Sequence, residues 1–249
     1  MKILALVRLT YEPKEVSELN LDSGKIHAGR VSLTLNEGDV KGIQLINSMK
    51  APFDAISIGV LDNISRVHTF VRGAGNIFEL GEQLAHSYNE SALASLVVSQ
   101  VKSIGGVQLV VCSPIEQDSG RGLLPGVLAA KLGWELFINV TKIIEKEGAF
   151  LIEQQLESGR QSYLVKGPIV ICPDETCVAG DDPSDAFELI EKLDKKETQK
   201  ISSEKLLSAE KPAIEISLEL PPTQAAQPVV SFSDEVVKKV LALIKPFSN

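Results

Sequence analysis

Short apolar runs bracketed by glycine or proline alternate along this chain with stretches in which apolar residues recur every three to four positions. Ile3 to Val7 and Ala55 to Val60 are runs of the first kind. Asn76 to Leu80, after the turn Gly73-Ala74-Gly75, and Val107 to Cys112, between Gly105-Gly106 and Pro114, continue the series and read as buried strands. Val40 to Met49 is of the second kind, with Val40, Ile43, Ile46 and Met49 on one helical face. Asn63 to Val71 reads as a short helix, and Ser91 to Ile104 as a longer one with Ser91 at its cap. Repeated strand–helix units require a parallel sheet covered on both faces, so the chain is predicted to be α/β, a Rossmann-like parallel sheet flanked by helices. Ligands of such sheets lie beyond the carboxyl ends of the strands. The loops after Val7, after Val60 and around Asp118 should therefore share one edge.

Beyond Trp134 the pattern changes. Leu136 to Val140, Ile143 to Glu153, Gln154 to Leu164 and Pro168 to Cys172 are punctuated by Glu147-Gly148 and Ser158-Gly159, which reads as hairpins forming an antiparallel extension of the parallel sheet. Asp181 to Glu210 is rich in Asp, Glu and Lys, with helical spacing at Phe187, Ile190 and Leu193 and a solvated charged face. Residues 1–210 are expected to form the α/β domain with its hairpin extension. Residues 211–249 are expected to form an extended arm through Leu220-Pro221-Pro222 to Pro228, then a helix capped by Ser233 with Val236, Val237, Val240, Leu241 and Ile244 on one side. Such a helix either folds back or docks on a partner.

Candidate chemistry concentrates after the fourth strand. Asp118-Ser119-Gly120-Arg121-Gly122 is a polar glycine loop that follows an apolar run and precedes a helix, in which Leu124, Val127, Leu128, Lys131 and Leu132 recur and Gly133 is the stop. Free N–H groups at a helix start, glycines that admit close approach and the charge of Arg121 suit an anion. Capping of the helix by Asp118 or Ser119 accounts for the same residues without a ligand, and the spacing is neither a Walker loop nor GxGxxG.

Composition trims the alternatives. The 249 residues carry a net charge of −8, which disfavours broad contact with nucleic acid or anionic membrane. The apolar N-terminal run is broken by Arg8 and has no small-residue cleavage site, so it reads as a strand in a cytoplasmic protein rather than as a leader. No run approaches the roughly 20 apolar residues of a membrane helix, so no membrane insertion is expected. Cys112, Cys172 and Cys177 contain no C-x-x-C pair, and His27, His68 and His86 are scattered, so no metal site is expected. No G-x-S-x-G elbow is present and no catalytic residue is assigned.

Taken in order, these segments resemble the beta subunit of electron transfer flavoproteins over nearly the whole chain. Met1 to Arg8 is similar to that family's first strand, which ends in valine and a basic residue. Asn36 stands where the family carries an asparagine ahead of its first long helix. Leu128 to Trp134 is similar to its leucine-glycine-tryptophan helix end. Leu156-Glu157-Ser158-Gly159 and Lys166-Gly167-Pro168-Ile169-Val170-Ile171-Cys172 echo the segment leading to its proline-valine-valine strand. Pro221-Pro222 through Leu241 resembles its proline-rich arm and closing helix.

The resemblance implies an electron carrier rather than an enzyme, paired as a heterodimer with an electron transfer flavoprotein alpha subunit and fed by flavin dehydrogenases. It implies an adenine-nucleotide-binding fold holding AMP or FAD, the FAD being shared with or held by the alpha subunit. Leu6, Val7 and Arg8 would contact adenine or ribose through backbone, Asn36 would lie near the nucleotide, Ser57 and Gly59 would contribute from the second strand's loop, and Asp118, Ser119, Gly120, Arg121 and Gly122 would meet the phosphates. Phe187 and Leu189, with Val237 and Leu241 in the last helix, are the corresponding partner-binding positions. Trp134 and the few other aromatics offer no platform for stacking a flavin. Leu124-Pro125 replaces the family's threonine-glycine pair, which keeps open a structural subunit without nucleotide. A stress-protein-like adenine nucleotide binder is a further alternative, with Glu116 and Asp118 as its only nearby carboxylates.

Overall fold

The computed structural model describes residues 1–12, 19–20, 25–26, 32–81, 89–117, 120–176 and 198–201. It is an α/β protein with a mostly parallel central sheet, helices on both faces and an antiparallel pair of strands at one edge. In chain order its elements are β1 (Lys2–Glu12), β2 (Leu19–Asn20), β3 (Lys25–Ile26), β4 (Ser32–Leu35), α1 (Glu37–Ser48), β5 (Phe53–Ile58), α2 (Asn63–Val71), β6 (Ala74–Leu80) and α3 (Glu90–Ile104). They continue with β7 (Val107–Val111), α4 (Leu124–Leu132), β8 (Glu135–Lys146), β9 (Ala149–Leu156), β10 (Gly159–Lys166), β11 (Ile169–Pro173) and β12 (Thr198–Ile201).

The strand order is β10-β9-β8-β11-β7-β1-β5-β6-β12. From β8 to β12 all neighbours run parallel, while β9 and β10 fold back antiparallel on β8. The chain steps outward on one side of β1 through β5 and β6, then returns to place β7 on its other side. β1 and β7 therefore flank the point where the order reverses, which is where a crevice opens at the carboxyl ends of a sheet of this kind.

β1 shows why both faces are covered. Its odd positions, Ile3, Ala5, Val7 and Leu9, enter a core with Ile43, Leu45 and Ile46 of α1 and Phe70 of α2. Its even positions, Leu4 and Leu6, enter a second core with Leu93, Val97 and Val101 of α3 and Leu128 of α4. Alternation along a strand sends neighbours to opposite faces, so the continuous apolar run Ile3 to Val7 requires helices on both. Past the sheet, β1 pairs antiparallel with β4 in the register Leu9↔Leu35. β2 and β3 form a separate two-stranded pair.

The structure differs from the sequence reading in four places. Ser91 is not the cap of α3: Asn89 is, its side chain accepting from the Ala92 N–H at 3.1 Å. Asn precedes the first helical turn and satisfies an N–H that Ser91, already inside it, cannot reach. β11 is not part of the hairpin extension but a central parallel strand between β7 and β8. All five of its residues are buried, as a strand covered on both faces demands. β8 serves both systems, Glu135 to Val140 pairing parallel with β11 and Val140 to Lys146 antiparallel with β9. Finally, Thr198–Ile201, inside the charged stretch, forms an edge strand on β6. The helical spacing at Phe187, Ile190 and Leu193, and the arm and helix of 211–249, lie outside the described residues.

Candidate functional site

At the reversal point a cleft of about 300 Å³ is lined by Leu6, Val7 and Arg8 of β1, Asn36 and Asp39 at the start of α1, Ile58 of β5, Cys112 to Pro114, Glu116 and Arg121 of the β7–α4 connection, and Leu124 and Pro125 in the first turn of α4. A second, more open groove of about 540 Å³ adjoins it across Asn36, Ser113 and Pro114, and extends over Lys41, Gln117 and Glu175.

Asn36 ties the cleft together. Its backbone N–H donates to Arg8 O at 2.9 Å, its Nδ2 donates to Ile115 O at 3.3 Å, and its Oδ1 accepts from the Gln117 N–H at 3.1 Å. It occupies the cap position of α1 without a capping hydrogen bond, because its side chain reaches across to the neighbouring loop instead. That loop closes on itself through Glu116 N–H to Arg121 O and Gly120 N–H to Glu116 O, both at 2.8 Å. Gly122 fits beneath it only as glycine, since a Cβ there would stand 2.9 Å from Pro114 O.

The charged groups meet at the bottom of this arrangement. Arg8, 8% exposed, forms an ion pair with Glu116, and both side chains are nearly buried. Asp39 is buried, its Oδ1 accepting from the Ser113 N–H at 2.9 Å. Burial pushes its carboxyl up to about 6, with Arg8 and the Ser113 and Asn36 hydrogen bonds pulling the other way. Glu90, in the first turn of α3, is buried with its carboxyl against that of Glu116. Its carboxyl is pushed up to about 7, by burial first and then by the Glu116 carboxyl beside it, against the pull of Arg8 and Arg121. Three carboxylates, Asp39, Glu90 and Glu116, thus face two guanidiniums, Arg8 and Arg121.

Of the residues singled out from the sequence, Leu6, Val7, Arg8, Asn36 and Arg121 are brought together as cleft lining. Ser57 and Gly59 are not: the Ser57 hydroxyl is fully buried and donates to Gly59 O at 2.7 Å, and Ile58 between them faces the cleft. Gly120 and Gly122 shape the loop without lining the cleft. Helix α4 begins at Leu124 with Leu123 as its cap residue, which makes no side-chain capping bond. The positions of Asp118, Ser119, Phe187, Leu189, Val237 and Leu241 lie outside the described residues. Trp134 packs partly buried against the α3–α4 core.

Asp39 and Glu90 escaped the sequence reading. Each stands in the first turn of a helix, where an acidic residue is an ordinary partner for the helix dipole. A signal was nonetheless present, because a helix that follows a parallel strand begins at the carboxyl edge of the sheet. Among the described residues no group of histidine, cysteine and carboxylate side chains is placed to hold a metal ion. No described helix is long and apolar enough to cross a membrane. Comparison with protein-family models and with curated proteins finds no match for the chain.

Proposed function

We propose that this chain is the beta-type subunit of an electron transfer flavoprotein-like heterodimer, binding an adenine mononucleotide in the cleft between β1 and β7. The observation that carries the reading is the coincidence of a topological site with a chemical one. The cleft opens where the strand order reverses, and Leu6, Val7, Arg8, Asn36 and Arg121, five of the positions that the family resemblance implies for its nucleotide, line it.

The residues fit the group in a specific way. The apolar walls of Leu6, Val7 and Ile58 suit a base, and the two guanidiniums suit a phosphate. On this reading the subunit holds AMP, the FAD being held by the alpha subunit or at the interface with it. That flavin supplies the one- and two-electron chemistry between flavin dehydrogenases and a downstream acceptor. This chain binds, orients and docks, with no catalytic group of its own, in the cytoplasm.

A second reading rests on the charge count. With Glu116 already on Arg8 and carboxylates outnumbering guanidiniums, the same fold serves as a structural subunit that has no nucleotide. One experiment separates the two: denature the purified chain, alone and with a coexpressed alpha-like partner, and identify what is released by absorbance and mass spectrometry. Stoichiometric AMP supports the first reading. No nucleotide in either sample, with the heterodimer still formed, replaces it by the second.

A further inference from the structure

The nearly buried Arg8–Glu116 ion pair sits inside the cleft rather than on its rim. An arginine in this position is the natural anchor for an incoming anion, yet its partner here is a carboxylate of the protein itself. Glu116 in turn stands within hydrogen-bond reach of the buried Glu90 carboxyl. Two adjacent carboxyls in a partly dry site hold one proton between them more readily than none.

We propose that Glu116 is a built-in competitor for the anion position on Arg8, and that an anionic ligand displaces it, with a proton taken up from solvent by the Glu90–Glu116 carboxyl pair. The inference rests on the nucleotide reading above and adds what the phosphate must do to enter. The exchange balances: the Arg8–Glu116 pair breaks, an Arg8–phosphate pair forms, and the released carboxylate, left beside Glu90, is neutralised by one proton. The groups that set the proton's affinity come from every neighbouring element. Arg8 of β1 and Arg121 of the loop oppose protonation, burial and the second carboxyl favour it, and Asp39 of α1 shares the charge of Arg8.

The test is titration calorimetry of AMP into the full chain at pH 8, in buffers of different ionisation enthalpy, with adenosine as the phosphate-free control. At that pH the phosphate of AMP, with a second pKa about 6, is already ionised. Close to one proton is taken up per AMP and none per adenosine, and AMP affinity falls about tenfold per pH unit from 7.5 to 8.5, the slope that uptake of one proton requires. Glu116→Gln binds AMP about tenfold more tightly than the native chain at pH 8 and takes up no proton. Should that variant not fold, Glu90→Gln gives the same proton readout, retaining AMP binding with uptake lost. AMP binding without proton uptake, or unchanged in Glu116→Gln, overturns the competitor while leaving the nucleotide reading standing. Failure of AMP to bind the native chain and both variants overturns both.

Discussion

Gly38, in the first turn of α1, lies so close to Ser113 that a Cβ at position 38 would collide with the Ser113 hydroxyl and stand 2.9 Å from its Cβ. The contact presses the start of α1 against the end of β7, and Ser113 Oγ donates to Ile115 O to hold the turn that follows. Gly38→Ala is expected to cost about 1–3 kcal/mol, the usual range for overpacking. Adding Ser113→Gly recovers most of that loss if the collision is its cause. Denaturant midpoints of the two single variants and the double variant decide it, and additive losses would refute the contact.

Asn36→Ala removes the acceptor for the Gln117 N–H and the donor to Ile115 O at a buried position. The expected loss is about 1–3 kcal/mol, the penalty for buried polar groups left without partners. Hydrogen exchange locates it: the Gln117 amide should lose protection while the amides of β5 keep theirs. Asn36→Asp is expected to be at least as damaging, because it sets a carboxylate oxygen against Ile115 O and a second negative charge beside Asp39.

Stability should fall as pH rises across neutrality. Asp39 is raised from 3.8 to about 6 and Glu90 from 4.5 to about 7, so the folded chain holds protons that the unfolded chain has released. Their contribution is fully present below the unfolded values and is lost as pH passes through 6 and then 7. Between pH 5.5 and 8 the loss is on the order of 1–3 kcal/mol. Asp39→Asn, which keeps an acceptor for the Ser113 N–H, and Glu90→Gln should each flatten the profile. A native profile that rises over that interval is incompatible with the carboxyls as placed.

Glu79 is almost wholly buried, its Oε1 accepting from Arg66 Nη2 at 2.9 Å and from the Leu61 N–H at 3.3 Å. Arg66→Ala leaves that carboxylate without its counter-ion and is expected to cost about 3 kcal/mol. The double variant Arg66→Ala with Glu79→Leu should be more stable than the single one, since no stranded charge remains. The ranking of their thermal midpoints is the check.

The fold was legible from the sequence because its signal is local. Alternation of β-rich runs with helical periodicity placed α2 at Asn63–Val71, as found, and the glycine turns at Gly148 and Gly159 gave the hairpins. β11 was misplaced because a short apolar run records burial on both faces but not which neighbours provide it. The cleft was half legible. Leu6 to Arg8 and Arg121 follow from the rule that sites open at strand ends, whereas the role of Asn36 as a brace, and the meeting of Asp39, Glu90 and Glu116, arise from three elements brought together only by the assembled sheet. Ser57, which the resemblance implied as a contributor from the second strand's loop, has its hydroxyl buried against Gly59 O.

Because β11 fills the gap between β7 and β8 but follows both hairpins in the chain, synthesis order and assembly order are at odds. A nascent chain that has reached only Lys166 has made β7 and β8 but carries neither the strand that joins them nor any way to close the sheet. Two strand edges then remain open to pairing with other chains. The stretch from Ile169 to Pro173 thus acts as a keystone, and a ribosome pausing just before it would hold a chain with both of those edges exposed.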